Sequence, residues 1–378
     1  MMINSKPIAI DLFAGAGGLS LGFEKAGFLI CQAIEQSPHA VATYQKNHPD
    51  VDLIKENICN LDPKDCLKRI GLKTKDIKIL IAGPPCQGFS ESNRRTRTVD
   101  NPNNLLFLQF IKFLTAIKPA YFVLENVAGL RTLSKGFLLH RIIKECNDLG
   151  YRTECNELNS ANFGVPQFRS RVFIVGNNTE QNFQFPEATT GTNCRHRITV
   201  RQAISDLPEL KNGAIIDYLP YKLNNESVLS DYQKIMRINS ETSNLVQGNL
   251  VTRNSDIIIE RYKHIGPGQN WESIPHELMN GYKDYSRCHT GIYHRLEWSK
   301  PSKVIGNFRK NMLIHPVENR GLSIREAARL QSFPDNYIFL GSIGFQQQQV
   351  ADAVPPMLAY ALGKEIFNKL GVIIKSCV

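Results

Sequence analysis

The first half of the chain alternates short apolar runs with amphipathic segments, and this alternation constrains the fold more than any other feature. Strands separated by helical segments of this length predict an α/β fold with a doubly wound, mostly parallel sheet. In such a sheet ligands bind at the carboxyl ends of the strands, so chemistry is expected just after the apolar runs. The strand-like runs are Ile8–Phe13, Leu29–Ile34, Ile79–Ala82, Tyr121–Leu124 and Arg171–Val175, and the helical segments include Leu19–Ala26, Pro38–Asn47 and Leu105–Ile117.

Between residues 185 and 301 this rhythm gives way to polar clusters, isolated aromatic residues and a Gly-Pro-Gly turn. Such a composition is typical of a second, smaller and irregular domain. Helical periodicity returns at Ser323–Gln331 and Val350–Lys369, while the Gln346–Gln349 run favours a solvated loop. We therefore predict one domain from residues 1–185 and 345–378 and a second from residues 186–344.

The chain is basic, with a formal net charge of +10 over 378 residues. That charge fits a polyanionic partner such as nucleic acid, although a basic protein without such a partner is equally compatible with it. The nine cysteines form no Cys-x-x-Cys pair, which argues against a disulfide framework or a zinc ribbon, so no metal site is predicted. The sequence contains neither a run of about 18 apolar residues nor a secretory signal, which predicts a cytoplasmic protein without a membrane segment.

The first apolar run leads into a glycine-rich turn, Leu-Phe-Ala-Gly-Ala-Gly-Gly, that ends at Gly18. Glu35 closes the second run, where a carboxylate can accept both hydroxyl hydrogens of a ribose. Taken alone, this turn fits any nucleotide-binding α/β protein, a nicotinamide dehydrogenase included. Its glycines depart from the Gly-x-Gly-x-x-Gly spacing, however, and Phe13 offers an aromatic edge to a nucleoside without a pyrophosphate.

The run Ile79–Ala82 is followed by Gly-Pro-Pro-Cys-Gln, which places Cys86 beyond the carboxyl end of a strand. Consecutive prolines stiffen the backbone, which helps to hold a nucleophile in one place. A reactive thiolate needs an electropositive setting, and a loop with three arginines follows. A structural loop cysteine is the alternative for an isolated residue of this kind.

Two further segments carry polar residues where apolar runs end. Glu125 and Asn126 follow one run, and a buried carboxyl group there can have a raised pKa and share a proton near neutral pH. A helix cap is the alternative. Arg169 and Arg171, at alternate positions entering a strand, are expected to point the same way and offer planar forks for a phosphate, carboxylate or base carbonyl. A solvent-exposed pair on an edge strand is the alternative.

Together these segments resemble the DNA cytosine-5 methyltransferase family, of the prokaryotic modification-enzyme type. The order and spacing of the motifs are similar to the family's, and the unmatched middle of the chain is where the family varies. The resemblance runs through the glycine-rich turn, Pro84–Gln87, Glu125–Val127 and Gln167–Arg171, and resumes at Arg325–Pro334 and Val350–Pro356.

The resemblance implies transfer of a methyl group to carbon 5 of a cytosine that is rotated out of double-stranded DNA. Cys86 matches the thiolate that adds to carbon 6, and covalent addition replaces one difficult step by two easier ones. Glu125 would protonate ring nitrogen 3, Asn126 would fix the base, and Arg169 would contact its carbonyl oxygen and orient Glu125. The expected catalytic residues are Cys86, Gln87, Glu125, Asn126, Arg169 and Arg171.

The methyl donor implied by the resemblance is S-adenosylmethionine, with Glu35 on its ribose. Two positions depart from the family: Asn57 stands where an aspartate usually accepts from the adenine amino group, and Asp352 lies in Ala-Asp-Ala-Val where Gly-Asn-Ala-Val is usual. The amide oxygen of Asn57 can still accept, without the charge. The expected donor-site residues are Phe13, Gly15, Gly17, Gly18, Leu19, Glu35, Asn57, Ile58, Pro84, Leu106, Asp352 and Val354.

The polar loop at residues 87–104 is expected to close over DNA with its arginines on phosphates. Residues 185–300 contain 14 Lys and Arg against 13 Asp and Glu, so base-edge contacts are expected there instead. The resemblance further implies a monomer acting beside a separate restriction endonuclease in a bacterial cytoplasm. An RNA cytosine methyltransferase and a non-catalytic DNA-binding relative are the alternatives. The expected DNA contacts are Ser90, Arg94, Arg95, Arg97 and Gln167.

Overall fold

The computed structural model describes residues 6–85, 106–132, 136–191, 194–223, 225–237, 244–279, 292–306, 308 and 312–371. The chain divides into two compact units. The first unit comprises Met1–Asn159, Ser170–Glu187 and Pro356–Val378, and the second comprises Ser160–Arg169 and Ala188–Pro355. These two units are defined by packing alone. The two predicted functional domains, residues 1–185 with 345–378 and residues 186–344, therefore remain a prediction. None of the described helices is long and apolar enough to cross a membrane.

Seven strands form one sheet in the first unit: β1 Ile8–Leu12, β2 Leu29–Ile34, β3 Asp52–Ile54, β4 Ile77–Ala82, β5 Tyr121–Val127, β6 Arg152–Asn159 and β7 Ser170–Asn177. The strand order is β3-β2-β1-β4-β5-β7-β6, with parallel pairing from β3 to β5 and antiparallel pairing of β7 with both neighbours. The predicted α/β fold with a mostly parallel sheet is confirmed. β3 and β6 were not predicted, because β3 is short and β6 is a largely polar edge strand.

The α-helices of the described residues are α1 Gly18–Lys25, α2 Pro38–Asn47, α3 Pro63–Arg69, α4 Phe107–Ile117, α5 Phe137–Asp148, α6 Val200–Ile204, α7 Asp231–Arg237, α8 Asp256–Lys263, α9 Ile324–Leu330, α10 Ile343–Asp352 and α11 Pro356–Lys369. The second unit also contains a two-stranded ribbon of β8 Leu219–Pro220 and β9 Leu245–Val246.

Two predictions about the C-terminal helices are wrong. The segment Val350–Lys369 is interrupted, because Ala353 is extended (φ −61°, ψ 147°) and the consecutive prolines after Val354 cannot continue a helix. The Gln346–Gln349 run is helical rather than a solvated loop. Several of its amides are buried and donate to the backbone, as Gln349 Nε2 does to Leu340 O at 2.9 Å, so burial is compensated by hydrogen bonds.

The core of the first unit lies on both faces of the sheet. The apolar face of α4 repeats at helical spacing through Phe107, Phe110, Phe113 and Leu114, all buried against β4 and β5 side chains. On the other side α1 packs against α11 at van der Waals distance, because Gly22 lacks a side chain. A Cβ at Gly22 would lie only 2.3 Å from the Cβ of Ala359. These layers fix the sheet edge where the strands end.

Buried ion pairs organise the second unit. Arg329, fully buried on α9, donates to Asp206 at 3.2 Å and to Asp335 at 2.6 Å. Arg320 holds the Glu326 carboxylate through two bonds of 2.7 and 2.8 Å, and this pairing keeps the pKa of Glu326 at about 2 despite its burial. The motif that resembles the family at residues 325–334 is therefore a structural core of this unit.

Candidate active site

Adjacent parallel strands end together at one edge of the sheet. The register of β4 and β5 aligns Ala82 with Leu124, so Gly83 and Glu125 follow side by side. A Cβ at Gly83 would lie 3.4 Å from Oε2 of Glu125. The predicted carboxylate therefore lies against the backbone that leads directly to Cys86.

Glu125 is held by an ion pair with Arg171. The distance from Arg171 Nε to Glu125 Oε1 is 2.9 Å, and the two side chains are only 15% and 11% exposed. β5 and β7 pair Glu125 with Phe173, which makes Arg171 a diagonal neighbour on the same face of the sheet. An ion pair screened from water in this way fixes the orientation of the carboxylate.

The orienting role expected of Arg169 remains a prediction, and its position differs from that of Arg171. β7 begins at Ser170, so Arg169 precedes the strand and belongs to the second unit. Its buried guanidinium donates to the carbonyl oxygens of Ile305 at 3.0 Å and Ala351 at 2.8 Å. The guanidinium that the structure pairs with Glu125 is that of Arg171, and the contact predicted between Arg169 and the base remains a prediction.

Asn126 ties β5 to the segment that precedes the expected nucleophile. Its Nδ2 donates to the Pro84 carbonyl oxygen at 3.4 Å, and its Oδ1 accepts from the Val127 N–H at 2.9 Å. Both Asn126 and Pro84 are buried. The bond to the Val127 N–H is local and is the one that resembles the helix cap considered as an alternative. The bond to the Pro84 carbonyl oxygen is long-range and restrains the Pro84 backbone.

The glycine-rich turn and Glu35 meet after β1 and β2. Glu35 accepts the Gly15 N–H at Oε2 (2.9 Å) and the Ser37 N–H at Oε1 (2.7 Å). The backbone is left-handed at Phe13 (φ 62°), Gly15 (φ 56°) and Gly17 (φ 86°), and no described atom lies within 4 Å of a Cβ built at Gly15. Strain at Phe13 is typical of a binding turn. The turn leaves open space beside a fixed carboxylate.

This cradle fits a nucleoside. Each Glu35 oxygen accepts one backbone hydrogen bond, and a carboxylate oxygen has capacity for another, as a ribose diol requires. Asn57 uses Oδ1 to accept the Cys59 N–H at 3.0 Å, so an adenine amino group would share that oxygen. Ile58 is buried beside it, and the remaining expected residues of this unit are Gly18 and Leu19, buried on α1, and Leu106, half-buried at the start of α4.

One functional group at this edge was missed in the sequence. Asp11 is fully buried, and Ser20 Oγ donates to its Oδ2 at 2.6 Å while sharing a 2.7 Å hydrogen bond with the Tyr44 hydroxyl. Its Oδ1 has no hydrogen-bond partner among the described residues. Burial, followed by the repulsion of Glu35, raises the pKa of Asp11 to about 8. A single acid inside an apolar run was the signal that could have found it.

Three other expected site residues lie in the second unit. Gln167 has no exposed surface. Its Nε2 donates to Leu330 O and to Gln331 Oε1, and its Oε1 accepts from the Ile305 N–H. This packing argues against the DNA contact expected of Gln167. Asp352 is exposed and accepts from Gln348 Nε2 at 2.6 Å, while Val354 is buried. Their donor-site roles remain predictions.

The expected nucleophile and its loop lie outside the described residues. This applies to Cys86, Gln87, Ser90, Arg94, Arg95 and Arg97. Their roles stay predictions from the sequence. The structure describes this segment as far as Pro85, the residue that precedes Cys86 in the sequence.

Comparisons with known proteins agree with this geometry. A family model described as C-5 cytosine-specific DNA methylase matches residues 8–368. The type II methyltransferase M1.HphI of Haemophilus parahaemolyticus is 36% identical over 95% of this chain and 86% of its own length. M.DdeI of Desulfomicrobium norvegicum is 35% identical over 94% of this chain and 88% of its own. The chain belongs to the C-5 cytosine-specific DNA methylase family.

The fold agrees as well. A DNA modification methyltransferase encoded within an E. coli prophage superposes with a TM-score of 0.77 at 24% identity, covering 97% of this chain and 99% of its own. Family membership confirms the predicted class of enzyme, a DNA cytosine-5 methyltransferase of the prokaryotic modification type that uses S-adenosylmethionine and acts on DNA. The nicotinamide oxidoreductase alternative is excluded.

Proposed function

We propose that this edge of the sheet is the catalytic site that methylates carbon 5 of cytosine in double-stranded DNA, with Cys86 as its nucleophile. The ion pair of Glu125 with Arg171, set against the Gly83 backbone, carries the proposal. It holds a carboxyl group in one orientation beside the segment that delivers the thiol. A nucleophile with a positioned proton-transfer partner requires this arrangement.

Each residue of the site has a role in the proposed reaction. The Cys86 thiolate forms a bond to carbon 6, and Glu125 supplies a proton to ring nitrogen 3, so electron density moves to carbon 5. Carbon 5 then takes the methyl group and loses its proton to a base, the bond to Cys86 breaks to release the thiolate, and ring nitrogen 3 returns its proton to Glu125. Arg171 keeps Glu125 oriented, while Asn126 restrains Pro84 ahead of the nucleophile.

The donor site is proposed at the glycine-rich turn. S-adenosylmethionine supplies the electrophilic methyl group when bound. Glu35 would accept from the ribose hydroxyls, and the open space at Gly15 leaves room for the donor to approach the backbone. Asn57 would accept from the adenine amino group through the oxygen that already caps Cys59.

Bisulfite sequencing of DNA from cells that express the protein tests the chemistry. We expect protected cytosines in one short motif, loss of protection with Cys86→Ala, and full protection with Cys155→Ala on the edge strand β6 as a matched control. Protection that survives Cys86→Ala would refute the covalent mechanism. Absence of protected DNA together with methylated transfer RNA would instead establish the RNA alternative.

Single-turnover kinetics test the ion pair separately. Arg171→Lys keeps the charge but loses the fork that reaches Glu125, so we expect a methyl-transfer rate lowered by about 10- to 100-fold with an unchanged affinity for S-adenosylhomocysteine. An unaltered rate would remove Arg171 from the site. The predicted monomer, the separate restriction endonuclease and the bacterial cytoplasmic location remain predictions.

A further inference from the structure

Three segments of the second unit lie side by side through backbone hydrogen bonds. They are residues 166–168, 197–201 and 298–303, all within one compact unit. The bonds run from Phe168 N–H to Ser302 O (2.8 Å), from Ser302 N–H to Pro166 O (2.9 Å), from Val200 N–H to Lys300 O (2.9 Å) and from Arg201 N–H to Trp298 O (3.1 Å).

Two arginines on this surface lie over aromatic rings. The Arg197 guanidinium carbon lies 5.5 Å from the centre of the Phe168 ring, and that of Arg201 lies 5.2 Å from the centre of the Trp298 ring. Arg197 is further fixed by Nη2, which donates to Asn162 Oδ1 at 2.9 Å. Its Nη1, and the edge N–H groups of Arg201, have no hydrogen-bond acceptor among the described residues, and a guanidinium restrained on a ring loses less entropy when it binds an external acceptor.

The cations here have no carboxylate partner among the residues that the structure describes. No carboxylate of the described residues forms an ion pair with Arg195, Arg197, Arg201 or Lys303, and all but the half-buried Arg197 are exposed. Residues 188–205 contain no Asp or Glu. Burial, followed by the charge of Lys303, lowers the pKa of His294 to about 4, while Glu297 acts in the opposite direction.

We propose that Arg195, Arg197, Arg201 and Lys303, the basic strip, bind the phosphates of duplex DNA. The inference rests on the proposed function, because a DNA substrate makes phosphodiesters the polyanion this surface meets. The near balance of charge over residues 185–300 had led us to expect base-edge contacts there. The balance hides the strip, since the acidic residues of that region lie outside residues 188–205.

The strip makes a quantitative prediction about salt. Each phosphate contact releases counterions, so the slope of log Kd against log salt concentration falls by about 0.9 for every contact removed. We expect Arg201→Ala to lower the slope by about 1 and the double variant with Arg197→Ala by about 2. Lys303→Ala, which disturbs no ring contact, should lower it by about 1. Arg201→Lys should keep the wild-type slope.

The experiment is a salt titration of binding to a random-sequence duplex of fixed length, since phosphate binding needs no recognition motif. Arg141→Ala is the matched control, because it removes one charge and one arginine–ring contact, over Phe107 at 5.4 Å, from the first unit. Slopes lowered in the strip variants but not in the control support the proposal. Equal slopes in all variants would overturn it.

Two measurements keep the inference separate from the proposed function. Thermal unfolding of each variant shows whether a lower slope reflects a lost phosphate contact or an unfolded protein. If the loss of a ring contact destabilises the arginine variants, Lys303→Ala still tests the proposal. If the wild type methylates DNA while the strip variants keep its slope, the strip alone is refuted. If the wild type binds no duplex and methylates none, the proposed function and the strip fail together.

Discussion

Asp11 makes the stability of the protein depend on pH near neutrality. Its carboxyl group is fully buried, it accepts one hydrogen bond from Ser20, and its Oδ1 has no partner among the described residues. Burial therefore disfavours the charged form and raises the pKa from 3.8 to about 8. In the unfolded chain the same group titrates at its ordinary value.

The direction of the effect follows from proton binding. Between the two pKa values the folded state holds a proton on Asp11 that the unfolded state has released, so rising pH favours unfolding. The contribution is fully present below about pH 4 and is lost as the pH rises through 8. A difference of one pKa unit corresponds to about 1.4 kcal/mol, so the loss between pH 6 and pH 8 is about 2 kcal/mol.

Asp11→Asn isolates this contribution, because asparagine has a similar shape, can still accept from Ser20 and does not titrate. Urea unfolding of both proteins at several pH values from 6 to 8 gives two free energies at each pH. Their difference cancels the groups that titrate identically in both proteins. We expect the wild type to lose about 2 kcal/mol relative to the variant over this range. A constant difference would show that Asp11 is ionised throughout and that burial does not govern it.

Three further substitutions test packing, charge and donor binding. Gly22→Ala should lower the free energy of unfolding by about 1–3 kcal/mol, because its Cβ would lie 2.3 Å from that of Ala359, and an unchanged melting temperature would contradict the close approach of α1 and α11. Arg329→Ala should cost about 3 kcal/mol in urea unfolding because it removes the partner shared by two buried carboxylates, leaving Asp206 hydrogen-bonded to Arg237 and Asp335 hydrogen-bonded to Tyr221, whereas a loss below about 1 kcal/mol would show that these remaining partners suffice. Asn57→Asp should tighten S-adenosylhomocysteine binding in calorimetry by about 1 kcal/mol, since a charged acceptor binds an amino group more strongly. Weaker binding would place the adenine elsewhere.

The strand ends were the most predictable part of the site. Several expected residues of the first unit follow an apolar run, and the parallel register brings those ends to one edge, so Glu35, Pro84 and Glu125 could be placed from the sequence. The local sequence was sufficient for this prediction, because a strand and the residue that follows it are consecutive in the chain.

Partners that come from distant elements could not be predicted. The hydrogen bonds of Asp11 depend on Ser20 from α1 and Tyr44 from α2, and the register of two helices is not contained in either segment. The Gln346–Gln349 run was misinterpreted for the same reason. A run of polar residues predicts exposure unless hydrogen-bond acceptors on other segments compensate for the burial of its side chains. Here these acceptors are backbone carbonyls and a hydroxyl elsewhere in the second unit.

The Gln167–Arg171 motif shows why the residue type alone does not assign a role to a side chain. Arg169 and Arg171 are the same residue type two positions apart, yet β7 begins between them, and the two compact units divide there. Gln167 donates to backbone and amide oxygens of the second unit, and Arg169 donates there to two backbone carbonyls, whereas Arg171 pairs with the carboxylate at the sheet edge of the first. Substituting the first two should therefore reduce stability before it reduces chemistry, and substituting Arg171 should do the reverse. Because β7 starts at Ser170, Arg171 lies on the strand beside Glu125, and its residue type alone could not show this.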